Sequence, residues 1–217
     1  QKVRGNIERI FDYAIDLEFR EDNPTPPPHS MPVAQRQVRH FASMPHERAG
    51  ALWTWLHDRP RMSIQTRVGL SLALLLGKRT GEIRHMEWTE IDFEHGIWST
   101  PADKMKKRKA HRQPLSIQAL QLLREVEAVT GQGRYVLGNA QDNPMSENVM
   151  LYGIKRFDNV TVHGLRASLG SWMEESGVRK PVADFVKAHQ PKYLDAAYQR
   201  SDLLEERREV LQRWADY

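Results

Sequence analysis

The chain has 217 residues, 40% of them apolar, and a formal net charge of +4, which suits one large domain or one domain with a fragment of another. No apolar run reaches membrane-spanning length, Val68 to Leu76 being the longest candidate, and the N-terminus lacks the charge, apolar run and small residues of a secretory leader. There is no cysteine, which excludes disulfides and thiolate metal sites and fits a reducing cytoplasm.

Val3, Ile7, Ile10, Phe11, Ala14 and Ile15 recur at helical spacing and predict an amphipathic helix over residues 2–20. Asn23-Pro24 stops it, and Pro26, Pro27, Pro28 and Pro32 follow. One helix before such a stretch reads as the last helix of another domain over residues 1–23, a linker over 24–33 and a second domain over 34–217. Helices are expected over Glu47–Leu56 and Ser63–Leu76. The second is strongly apolar, therefore buried, and ends at Gly77. A short helix should start near Thr80.

The period then changes. Ile91, Phe93, Ile97 and Trp98 flank His95-Gly96, the pattern of a β-hairpin. Residues 112–115 read as a third strand, with Pro114 placing it at an edge or a strand end. Helical spacing returns over 117–129, 146–156 with Ser146 as cap, 163–175, 181–189, 193–199 and 203–215. The fold class is α+β, many helices with one small sheet near the middle.

Lys104, Lys106, Lys107, Arg108, Lys109 and Arg112 crowd one stretch, interrupted by Met105, Ala110 and His111. Such a cluster suits a polyanion, because each cation that meets a phosphate releases counterions; a solvated basic loop reads equally well. Cutting a phosphodiester without a metal makes further demands. Charge builds on two non-bridging oxygens, and two guanidinium forks can meet it. A side-chain nucleophile conserves the bond energy for resealing. A general acid must protonate the departing sugar oxygen.

The chain offers candidates for each part. Arg79 is followed three residues later by Glu82, placed to pair with it, and His163 and Arg166 share one helix face near an N-terminus. His189 and Tyr198 lie further on. Singly, each has a plain alternative: a surface ion pair, a capping histidine, a half-buried tyrosine. No HxxEH, DxD or carboxylate pair suggests a metal-dependent nuclease.

The ordered set RTGE, KMKKRKAHRQPLS after a hairpin, HGLR, AH and AAYQR resembles the phage integrase, or tyrosine recombinase, family. It is most similar to integrases of prophages and genomic islands, including the tail LEERRE…WADY. The match runs from about Asn23 to Tyr217, with the family's nine-residue step from His189 to Tyr198. The resemblance implies a mostly helical catalytic domain with a small antiparallel sheet, and site-specific recombination through a 3′-phosphotyrosyl link. Tyr198 would be the nucleophile, with Arg79, Arg166 and His189 on the scissile phosphate. Lys106 would protonate the leaving 5′ oxygen, His163 would assist proton transfer, and Glu82 would support Arg79.

Tyr193 lacks the family spacing. Lys78 and Lys187 stand where small or apolar residues are usual. Lys104, Lys107, Arg108, Lys109, His111 and Arg112 would face DNA. No metal and no cofactor is implied. The expected partners are double-stranded attachment sites, further copies of the chain forming a tetramer on DNA, and DNA-bending accessory proteins, all at the bacterial nucleoid and away from membranes. The same residues would also serve a type IB topoisomerase relaxing one duplex; a DNA-binding regulator with a decayed site is a third reading. The stripe Leu203, Leu204, Val210, Leu211 and Trp214 suits either packing on its own domain or docking on a neighbouring protomer.

Overall fold

The computed structural model describes residues 2–27, 43–105, 108–189 and 202–217. The expected domain boundary at 34, Lys106, Lys107, Tyr193, Tyr198 and the helix over 193–199 lie outside the described residues. The chain divides into two compact units, 1–39 and 40–217.

In the first unit, α1 spans Lys2–Asp16, shorter than expected. Glu18 takes a left-handed backbone (φ 59°), which an L-residue visits only at the end of a helix or in a turn. Asn23 folds back and donates from Nδ2 to Glu8 O at 3.0 Å and Asp12 Oδ1 at 2.6 Å.

The second unit is built around one helix. A single 3₁₀ turn, His46–Arg48, leads into α2 (Ala49–His57). Next comes α3 (Ile64–Leu76), capped by Ser63, whose side chain accepts from Thr66 N. Every residue of α3 from Val68 to Leu76 is buried. Each buried leucine there stabilises by roughly 1.5–3 kcal/mol relative to exposure. The helix packs against α2, α5 (Ile117–Thr130), α6 (Glu147–Lys155) and α7 (Val162–Glu175). It ends at Gly77, in the left-handed region at φ 55°. A Cβ there would lie 2.6 Å from Leu169 Cδ2, so only glycine permits this approach of α3 to α7.

The short helix α4 (Thr80–Arg84) follows at the expected place. The sheet is antiparallel in the order β1-β2-β3, with β1 Ile91–Asp92, β2 Ile97–Thr100 and β3 His111–Pro114. Trp98 pairs with Ile91 on one side and Gln113 on the other. Ser146 stands at the N-cap of α6 as expected but makes no side-chain cap bond. The helix expected over 181–189 is α8 (Lys180–Val186). It stops early because Ala188 turns left-handed (φ 49°).

The final helix, α9 (Leu204–Asp216), packs on β3, α8, α3 and α5 of its own unit. Its stripe of Val210, Leu211 and Trp214 is buried there, and Trp214 Nε1 donates to Leu74 O at 2.9 Å. No helix among the described residues is long and apolar enough to cross a membrane.

Candidate active site

Arg79 is the N-cap of α4. Its guanidinium pairs with Glu82 one turn on, and its amide donates to the other Glu82 oxygen at 3.4 Å. The carboxylate thus holds Arg79 at both ends, while the side chain keeps about a third of its surface exposed.

Arg166 comes from α7. That helix starts at Thr161, whose hydroxyl accepts from Gly164 N at 3.0 Å, so His163 and Arg166 fall in its first two turns, three residues apart. The Arg166 side chain is buried and runs across the end of α3. One terminal nitrogen donates to Gly77 O at 2.8 Å; the other donates to Lys187 O and to His189 Nε2, the latter at 3.0 Å. One guanidinium therefore ties together the end of α3, just before Arg79, and the end of α8, just before His189.

His189 is oriented from both sides. Its amide donates to Asp184 O at 2.7 Å, and its Nδ1 lies 3.8 Å from Asp184 Oδ1. Accepting from Arg166 through Nε2 leaves the ring proton on Nδ1, facing that carboxylate. Burial, then the charges of Arg166 and Lys187, pull the His189 pKa below its usual value, against Asp184. Burial, then Arg166 and Arg79, do the same to His163. Arg166 itself falls to about 10 through burial and the charge of Arg79, and so stays cationic at neutral pH. Arg79, Arg166, His163 and His189 thus share one electrostatic neighbourhood with excess positive charge, the condition that attracts a phosphate. Beside Arg79 opens a cleft of about 520 Å³, lined by Glu82, His85, Glu87, Lys104 and Arg134 among others. Among the described residues no group of three or more His, Asp or Glu could hold a metal ion.

The basic stretch separates into distinct environments. Arg108 and Lys109 are exposed. Arg112 is exposed but makes a two-pronged ion pair with Asp202, at 3.0 and 3.2 Å. His111 faces inward and bonds Gln113 Oε1 at 3.0 Å. Strand alternation carries this information: His111 and Gln113 share the inner face and Arg112 the outer. Lys104 is half-buried, with its ammonium 2.5 Å from Glu87 Oε1 and 2.5 Å from Glu90 Oε1.

Two buried cations escaped the sequence reading as interior groups. Lys78 is 1% exposed, and its Nζ finds no hydrogen-bond partner among the described residues. Arg207 of α9 donates to Arg112 O at 2.6 Å and lies 3.3 Å from Asp202 Oδ2. Asp202 thereby receives both Arg112 and Arg207, fixing the start of the last segment to β3.

Residues 43–202 match the phage integrase family. The prophage integrase IntZ of Escherichia coli (strain K12) is 30% identical over the whole chain, which spans 54% of that relative's length. A lambda integrase(75-356) dimer bound to a COC′ core site superposes with a TM-score of 0.65 at 18% identity, covering 89% of this chain and 72% of that one. A lambda integrase tetramer bound to a Holliday junction gives the same score and identity, covering 89% and 59%. With a family match over most of the chain and a fold shared with lambda integrase, the protein belongs to the phage integrase family of tyrosine recombinases and carries their catalytic-domain fold.

Proposed function

We propose that this chain is the catalytic domain of a site-specific DNA recombinase that cuts and rejoins DNA through a 3′-phosphotyrosyl intermediate on Tyr198. The observation that carries the reading is the Arg166 junction, where one buried guanidinium links the base of Arg79 to His189. A phosphodiester offers two non-bridging oxygens, and two forks of fixed geometry suit it. In the attack, the Tyr198 oxygen forms a bond to phosphorus, and the bond from phosphorus to the 5′ oxygen breaks. Lys106 gives its proton to that oxygen. Arg79 and Arg166 take the charge that develops, His189, protonated at Nε2 once the phosphate draws Arg166 away from it, donates to the same phosphate, and His163 assists the tyrosine's loss of its proton.

The bound phosphate offsets the guanidinium charges that depress both imidazoles, so His189 becomes a better donor when substrate is present. The reverse reaction, with a different 5′ hydroxyl, completes strand exchange. The partners on this reading are duplex attachment sites and further copies of the chain assembled on DNA, in line with the DNA-bound dimer and tetramer of lambda integrase. A nicked suicide substrate tests it: a covalent protein–DNA adduct should accumulate and be absent in Tyr198→Phe. An adduct of equal yield in that variant would overturn the assignment.

A further inference from the structure

Lys104 makes three bonds at once. Its ammonium donates to Glu87 Oε1 and Glu90 Oε1, each at 2.5 Å, and to His85 O at 3.1 Å. His85 is the C-cap of α4, whose N-cap is Arg79. Glu90 is buried, and its second oxygen accepts from the indole of fully buried Trp98 at 3.0 Å and from Glu87 N at 3.2 Å. Glu87 is held in turn by Arg134 Nη2 at 2.9 Å. Lys104 is thus tied to a rigid frame made of α4, the turn Trp88–Glu90 and β2. A lysine neutralised by two carboxylates is poorly suited to a DNA phosphate, and burial works against its charge while Glu87 and Glu90 hold its pKa above the ordinary lysine value.

We propose that Lys104 is a positioning residue that locks the approach to Lys106 onto the helix bearing Arg79, so that the general acid and the phosphate clamp share one frame. Two residues of backbone separate Lys104 from Lys106, at most about 7 Å of extended chain. A general acid works only within hydrogen-bond reach of the atom it protonates, and small displacements cost rate steeply. The inference rests on the reading of Lys106 as the acid.

The test uses two nicked substrates, one ordinary and one with sulfur in place of the bridging 5′ oxygen at the scissile bond. The sulfur leaves as a stable thiolate and needs no proton. Lys104→Met should slow cleavage of ordinary DNA by about 10- to 100-fold, less than the roughly 10²–10⁴-fold that an acid itself contributes. It should cleave the sulfur substrate near the wild-type rate. Its DNA affinity and the salt dependence of that affinity should be unchanged, whereas loss of a phosphate contact lowers the salt slope by about 1. Glu90→Gln, which keeps the side-chain volume, should show the same selective defect and guards against misfolding of the first variant.

Equal loss on both substrates in the two variants, or a reduced salt slope in Lys104→Met, overturns the proposal. Lys106→Ala serves as the control. If sulfur does not rescue it, the acid assignment itself fails; if sulfur rescues Lys106→Ala but neither Lys104→Met nor Glu90→Gln, only the tether fails.

Discussion

The Arg166 side chain reaches three acceptors at once. Its nitrogens accept no role that lysine could fill, because three acceptors in three directions need a planar fork. The same interior holds Lys78, Arg207 and His111 close behind the site, and they repel one another. Burial, followed by the charge of Lys78, drives His111 down to about 2, so it is neutral in the folded chain at any ordinary pH. The linkage has a definite sign. In the unfolded chain His111 takes up a proton below about pH 6.5, while the folded state refuses it, so this stability is full above that pH and is lost as the pH falls toward 2. The slope is about 1.4 kcal/mol per pH unit, or roughly 2 kcal/mol between pH 6.5 and 5. Unfolding by denaturant across that range should show this acid sensitivity, reduced by one proton's worth in His111→Asn; identical slopes in the two proteins would contradict it.

At the scale of elements, the site depends on how α3 ends. Gly77 stops the helix, lets Leu169 approach, and presents the carbonyl that Arg166 grips. Gly77→Ala should therefore destabilise the domain by about 1–3 kcal/mol through backbone strain, with further loss from the clash with Leu169. It should also slow DNA cleavage at temperatures where the variant is still folded. A thermal melt and a cleavage rate together check this; a variant with wild-type values for both would refute it.

This ending was legible in the sequence, because an apolar helix followed by glycine is a local signal. So were the hairpin around His95-Gly96 and the pairing of Arg79 with Glu82, each a matter of near neighbours. The tether of Lys104 to Glu87 and Glu90 was not legible, since its partners lie 14 and 17 residues away and nothing local distinguishes this lysine from its neighbours. The inward turn of His111 could have been read from strand alternation, but the density of surrounding charge masked it. The early stop of α8 has no strong sequence signal, because alanine at position 188 favours a helix and tertiary contacts of Arg166 with Lys187 and His189 override that preference.

Across the whole molecule, the C-terminal helix is committed to its own unit. The indole of Trp214 bonds the carbonyl of Leu74 in the last turn of α3, and Tyr217 stacks on Trp214 with ring centroids 5.8 Å apart and reaches His46 Nδ1 at 3.2 Å. Arg207 and Asp202 on the same stretch fasten the residues that follow Tyr198 to β3, while Asp184 and Arg166 fasten His189 before it. Charged contacts thus hold the described residues on both sides of the tyrosine-bearing segment, Arg166 with His189 before it and Arg207 with Asp202 after it. The chain spans about half the length of the integrase relative described above.

We propose that Arg79, Arg166 and His189 present one phosphate to the oxygen of Tyr198 without a metal. Mass spectrometry of protein trapped on a nicked substrate in excess chelator tests it most directly. A nucleotide remnant on the peptide containing Tyr198, at a yield unaffected by the chelator, is the predicted result. A remnant on Tyr193 or any other residue, or trapping that requires a divalent cation, would contradict it.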